Sequence, residues 1–419
     1  MSRFLIYFVL AVNMLYLKVL RFNQILKSIS RLFSKSDSYL LIEILNHYVQ
    51  VTFLKVYPEK KQIRAVKNLA AELPEFNIVN AVESLKLLLR KFGKLNKYKL
   101  ILSLDADFAT TIYSSVALVR PHPKEIIDEG DLDNLISQAI WRFFDRHRLK
   151  VAQKMGIEDV DVLLSDVRIR GIKLNGHKVV NPIGFKAKAV EIFFSQTFMG
   201  RALMRELREL LPRANIVLIT EAGTALSHVL SQALAKDSFL IANLFPDETA
   251  VYQVSGSRLS HLDNFGWGEK DLHHLLGRYF RVEPVVASSL IANYSSNNAS
   301  RNFLRRFENI LTKELQVFVN GLESLTKEEA VEIYLNSFFT LPPVVFSDRF
   351  HNRFQKPLKL LPLSTNLVTE KFGYAVEWKK SVVVKNSLSL IAAFLEVNFL
   401  PQNDKLSHLA NRRVRWLIT

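Results

Sequence analysis

Two stretches carry side chains whose types and spacing could do chemistry. In KYKLILSLDADFATTIYSSVALV (97–119), Asp105 and Asp107 stand two apart, which on a strand puts both carboxylates on one face. Such a pair could act together, but no partner residue is identifiable for it, and a solvated strand face is the plainer reading. In LDNFGWGEKDLHHLL (262–276), His273 and His274 are neighbours on an expected helix. They therefore point in different directions and make a poor metal pair, so no metal site is expected. The chain has no cysteine, which excludes disulfides, thiolate metal sites and cysteine nucleophiles.

The elements around these residues alternate between hairpins and helices, as in layered α/β or α+β folds. YLLIEILNHYVQVTFLKV (39–56) reads as a strand, a turn at Asn46-His47 and a second strand. SFLIANLFPDETAVYQVSGSRL (238–259) reads the same way, with a bulky acidic turn at Pro246-Asp247-Glu248. Strands are also expected at 161–174, 189–198 and 215–219. Helices are expected over 61–92, 131–148, 201–211, 222–235, 270–279 and 301–322, with another starting at Lys327.

The formal charge is +16, which points to an anionic partner. No nucleic-acid recognition motif is present, so an anionic membrane surface is the expected partner and nucleic acid is not. Residues 4–17 are almost unbroken apolar sequence, shorter than a comfortable bilayer span of about 20 residues and without a signal-peptide cleavage site. From Leu15 a helical stripe follows through Val19, Phe22 and Leu26, with Lys18 and Arg21 off it. Such a helix can lie in a membrane interface, with the protein body in the cytoplasm. At the other end, KLSHLANRRVRWLIT (405–419) puts Leu406, Leu409, Ala410 and Leu417 on one face, Trp416 beside it, and Arg412 and Arg415 off it. That end too is expected to touch the membrane.

Four features in order resemble the FtsA family of cell-division proteins, which are actin-like ATPases. These are the opening hairpin, the segment KVVNPIGFKAKAVEI (178–192), TEAGTALSHVLSQAL (220–234) with the 238–259 hairpin and the 262–276 stretch, and the C-terminal helix. The second is the most specific. Its turn, Asn181-Pro182-Ile183-Gly184, is similar to one in the family's inserted SHS2 subdomain, a contact surface for partner proteins. The related PilM family of type IV pilus assembly proteins shares the core and the insert. The resemblance implies an actin-like α/β fold of duplicated ribonuclease H-like subdomains. The expected boundaries are a membrane-contact segment at 1–36, the first part of the core at 37–119, the SHS2 insertion at 120–213, the second half at 214–400 and a basic tail at 401–419. It also implies a divisome scaffold at the cytoplasmic face of the inner membrane, tethering an FtsZ-like protein, with self-association as a further family trait. The PilM likeness implies a pilus membrane protein as partner instead.

The resemblance further implies ATP and Mg²⁺, held by hairpin turns whose glycines let backbone N–H groups approach phosphate. The matching positions have departed from that pattern. The first turn is Glu43-Ile44-Leu45, with leucine where the family has glycine. The second runs from Asn243 to Ala250 and retains Thr249, but has no glycine and gains Pro246, Asp247 and Glu248. The third falls at Asn336-Ser337-Phe338, and Gly266 and Gly268 flank Trp267. The degenerate nucleotide set is thus Glu43, Asn46, Asn243, Thr249, Gly266 and Gly268. No hydrolysis and no resident cofactor are expected.

Overall fold

The computed structural model describes residues 36–45, 48–73, 77–212, 214–234, 236, 238–255, 258–296, 298–326, 331–352, 354–356, 358–379, 387–399 and 404–414. The expected N-terminal contact residues Leu15, Lys18, Val19, Arg21, Phe22 and Leu26 lie outside these, as do Asn46, Arg415, Trp416 and Leu417. Among the described residues no helix is long and apolar enough to cross a membrane.

The first half contains β1 (Asp37–Ile44), β2 (Tyr48–Tyr57), β3 (Gln62–Glu72), α1 (Ile78–Arg90), β4 (Lys99–Leu104), β5 (Ala109–Val119), α2 (Glu129–Met155), β6 (Val162–Leu174), β7 (His177–Val179), β8 (Ala189–Gly200), α3 (Arg201–Leu210), β9 (Asn215–Glu221) and α4 (Ala222–Leu234). The second contains β10 (Ser238–Leu244), β11 (Thr249–Ser255), β12 (Arg258–Phe265), α5 (Glu269–Phe280), α6 (Pro284–Ser295), α7 (Arg301–Leu325), β13 (Val331–Ser337), β14 (Leu358–Pro362), α8 (Thr365–Lys371), β15 (Ala375–Trp378), α9 (Ser387–Phe399) and α10 (Asp404–Val414).

The halves repeat one topology. In the first sheet the order β3-β2-β1-β4-β9 joins an antiparallel meander to two parallel strands. In the second, β12-β11-β10-β13-β14 does the same. This duplicated ribonuclease H-like order is the actin-like fold. β15 returns from the second half to extend the first sheet beside β3.

The central strands are buried on both faces, so alternate residues serve different cores. Tyr39 and Leu41 of β1, with Phe239 and Ile241 of β10, face a core between the sheets that is filled by α4 and α9. Leu40, Ile42 and Ile44 face the outer layer of α1 and α3. Leu240, Ala242 and Leu244 face the layer of α5, α6 and α7.

Three expectations change here. The 61–92 segment is not one helix: 62–72 form β3, paired antiparallel with β2, and the helix is confined to 78–90. The helix expected from Lys327 is not found over the described residues 331–337, which form β13, with Ile333 and Leu335 buried on one side and Tyr334 on the other. Its glutamates suit a helix, but its alternation fits a central slot in the sheet. The inserted unit spans 109–200 rather than 120–213. β5 pairs along its length with β8 in a separate four-stranded sheet of order β5-β8-β6-β7, covered by α2. α3 instead packs Leu203, Met204 and Leu207 into the core shared with α1.

The C-terminal helix α10 is docked on this insert. Leu406, Leu409 and Ala410 join its core. Ser407 Oγ accepts from Ile169 N at 3.0 Å, and Asn411 Oδ1 accepts from Val167 N at 3.0 Å. The apolar face expected to meet lipid is therefore occupied as far as Ala410, while Arg412 is exposed.

Candidate functional site

The pseudo-symmetry brings the two hairpin turns into correspondence. Leu45 N donates to Tyr48 O at 3.0 Å, and Phe245 N to Glu248 O at 2.9 Å. After the fourth strand of each half, Asp105 N donates to Ile44 O at 2.9 Å and Phe338 N to Leu244 O at 3.0 Å. Glu43 and Asn243 thus hold equivalent places, as do Leu45 and Phe245, and Asp105 and Phe338.

Aromatic and aliphatic side chains fill the space at these turns. The Phe245 and Phe338 rings stack 4.6 Å apart, and Phe338 lies 6.4 Å from Tyr48 of the first hairpin. Leu45, Tyr48 and Phe245 are buried members of the central core, with Phe338 packed against them. The second turn is also closed by its own backbone. At the start of α5, Glu269 N reaches Phe245 O at 3.4 Å and Lys270 N reaches Pro246 O at 2.7 Å. Helix N-terminal amides, the usual seat for a phosphate, here serve the turn itself. Lys270 Nζ also pairs with Asp247 Oδ2 at 2.9 Å.

Of the expected residues, Thr249 Oγ1 donates to Trp267 O at 2.9 Å, fixing the turn to the Gly266-Trp267-Gly268 segment. Trp267 is fully buried against Phe318, its ring 4.5 Å away. A Cβ on Gly268 would stand 2.3 Å from Phe245 O, whereas one on Gly266 would meet nothing within 4 Å. Gly268 is therefore required for close backbone approach. Gly268→Ala is expected to destabilise by about 1–3 kcal/mol. Gly266→Ala is expected to stay within about 0.5 kcal/mol of the parent. Urea unfolding of both variants checks the pair.

Glu43 is buried on the face toward α9, accepting from Tyr48 Oη at 2.9 Å and Gln50 Nε2 at 3.1 Å. Burial raises its carboxyl to about 7, opposed by hydrogen bonds from Ser389, Tyr48 and Gln50. Asn243 Oδ1 accepts from Asn336 Nδ2 at 2.8 Å in the equivalent place.

Asp105 and Asp107 follow β4 in a turn, and Glu248 joins them, the three offering carboxylate oxygens within 4.8 Å of one another. Burial and then the Asp107 charge raise the Glu248 carboxyl, while Asn264 donates to it at 3.2 Å. Sequence reading named the aspartates and, separately, Glu248, but did not bring them together, because Glu248 lies in the opposite hairpin. The signal available was the equivalence of the two turns. His273 Nε2 lies 2.8 Å from Ser288 Oγ, which places it between α5 and α6.

A second buried polar cluster joins the insert to the central helices. Glu396 of α9 is paired with Arg170 of β6 and accepts from Tyr113 Oη of β5 at 2.7 Å. His228 of α4 lies 3.8 Å away. Burial acts to raise Glu396, but Arg170, His228 and Tyr113 outweigh it and hold the carboxyl well below its usual range. Beside it, Glu221 Oε1 accepts from Tyr252 Oη at 2.7 Å and its Oε2 from Thr111 N at 3.0 Å.

No family model matches the chain, and no curated protein does. Solved structures of similar path include a chain of a PilM-PilN type IV pilus biogenesis complex, at 14% identity over 90% of this chain and 98% of that one, TM-score 0.44. Another is the ethanolamine utilization protein EutJ from Carboxydothermus hydrogenoformans, at 8% identity over 85% and 89%, TM-score 0.34. A third is MreB5 of Spiroplasma citri bound to ADP, at 10% identity over 80% and 95%, TM-score 0.35.

Proposed function

We propose that this chain is a non-catalytic scaffold on the actin-like fold, holding other proteins at the cytoplasmic face of the inner membrane. The observation that carries the first part is the packing of Leu45, Tyr48, Phe245 and Phe338 where the two hairpin turns meet. A triphosphate there would displace a stacked aromatic pair and find amides already bonded to carbonyls. The Asp105, Asp107 and Glu248 carboxylates, which stand together after β4 and in the second turn, could hold a cation, and without one they would repel a triphosphate. One unit-charge contact at 4 Å costs about 4 kcal/mol at an effective dielectric near 20. Thermal unfolding tests this reading. Millimolar Mg-ATP is expected to leave Tm unchanged. A ligand at about a hundred times its Kd adds about 2.7 kcal/mol, so a rise of several degrees contradicts it and supports an ATP-binding protein instead.

The charge of +16 supports attraction to anionic lipid, at about 1 kcal/mol for each well-placed Lys or Arg. Two partner classes fit such a scaffold, an FtsZ-like division protein or a pilus membrane protein. One observation favours the second. An FtsA-like tail needs its apolar face free for lipid, whereas α10 buries Ala410 and hydrogen-bonds Ser407 and Asn411 to β6. Binding measured in parallel against a division filament protein and against the cytoplasmic peptide of a pilus membrane protein separates the two.

A further inference from the structure

A cavity of about 430 Å³ opens on the outer layer of the second half, where α6 ends, α7 begins and the chain has left β13. Tyr294 and Ser295 line it from the end of α6, Arg301 and Arg305 from the first two turns of α7, and Leu304 and Pro343 supply apolar wall. It shares no lining residue with the hairpin turns, so its reading does not depend on theirs.

The donors around this cavity have nothing to hold. Arg301 and Arg305, one turn apart on the same helix face, are exposed, and neither guanidinium is paired with a described residue. Tyr294 is only 8% exposed, with its ring 5.2 Å from Phe307 in the core, yet its hydroxyl has no hydrogen-bond partner among the described residues. Burial and then the Glu308 charge push that hydroxyl up to about 12, so it keeps its proton at neutral pH and can donate. Ser295 Oγ, next along, is buried and has no partner either. Buried polar groups are ordinarily paired, and leaving one unpaired costs stability.

The helix end adds to this. α7 runs 25 residues from N-cap Ser300, and its first turn holds Arg301 and no acidic residue. A basic residue at the positive end of a helix dipole is unfavourable, and local rules broken in this way are expected at functional sites. Phe303 N donates to Ser300 Oγ and Leu304 N to Ser300 O, so the two amides before them are left without an intrahelical partner. Glu308 is the one carboxylate among the described lining residues, and it already has a partner of its own. Two guanidiniums and two hydroxyls offer more donors than a carboxylate can accept, whereas a phosphate monoester has three terminal oxygens to take them. We propose that this cavity binds a compact phosphate monoester, with Arg301 and Arg305 forked on its oxygens, Tyr294 donating from the wall, and Leu304 and Pro343 against its organic part. A magnesium-bound triphosphate, whose terminal oxygens are shared with the metal, does not suit it.

Calorimetric titration of the full-length chain with phenyl phosphate tests the inference. Saturable binding at one site is expected, displaced by inorganic phosphate and about tenfold tighter than benzoate at equal ionic strength. Tyr294→Phe and Arg305→Gln should each weaken it about tenfold. Without ligand neither substitution should lower the thermal midpoint, because the hydroxyl bonds nothing and the arginine opposes the helix dipole, so lost binding is not lost fold. Vesicles containing phosphatidic acid separate two sources of the same group. Displacement of phenyl phosphate by them assigns a lipid headgroup and no displacement a soluble ester, the phosphate site standing in both cases. Absence of saturable binding, equal affinity for benzoate, or binding untouched by both substitutions would overturn the inference.

Discussion

Replacing Glu43 with glutamine raises the stability of the chain by about 3 kcal/mol at pH 8 and leaves it nearly unchanged at pH 4. The folded carboxyl sits at about 7 because burial disfavours its charge. Below the unfolded value of 4.5 both states hold the proton and the group costs nothing. Between there and about 7 the unfolded chain releases the proton while the folded chain keeps it, so stability falls as pH rises. Above about 7 the full penalty persists. Glutamine keeps the acceptor that Tyr48 and Gln50 use and removes the titration. Denaturant midpoints across the pH range, for parent and variant, measure the effect. Parallel curves would show that Glu43 is solvated, and would undo the closed picture of the first turn.

The second large effect lies in the cluster that fastens the insert. Glu396→Ala strips Arg170 of its buried partner and should cost about 3–5 kcal/mol, because the guanidinium stays behind uncompensated. Joint replacement, Arg170→Met with Glu396→Leu, is expected to recover most of that loss, since apolar pairs of similar volume often match a buried ion pair. The pH dependence opposes that of Glu43. The Glu396 carboxyl is depressed in the folded chain, so its contribution is present above the ordinary value of 4.5 and is lost as pH falls through the folded value. Together the two groups place their joint optimum near pH 4.5, where the folded chain keeps Glu43 protonated and Glu396 ionised.

Much of the architecture was readable from the chain because its signals are local. β1 and β10 are short apolar runs closed by turn residues, and their alternation shows once the two faces are known to meet different cores. β13 was misread because a glutamate-rich approach looks helical, and only its place between β10 and β14 decides otherwise. The insert began earlier than expected because the alternation in β5 does not say which sheet the strand will join. The closure of the turns was half visible: Leu45 stands where the resembled family has glycine, and Pro246 has no backbone N–H to offer. The role of Phe338 emerges only when the two halves are superposed in register, where it answers to Asp105. The Arg170–Glu396 pair was invisible, since its partners stand 226 residues apart and neither has a distinctive neighbourhood.

The central claim is that side chains occupy the ground between the two hairpin turns. Its most direct test is diffraction from crystals grown with a non-hydrolysable ATP analogue and magnesium. The account predicts the Phe245–Phe338 stack in place, the amides of Glu269 and Lys270 still on the carbonyls of Phe245 and Pro246, and no nucleotide density. Ordered triphosphate density between Leu45 and Phe245, with Phe338 swung aside, would contradict it.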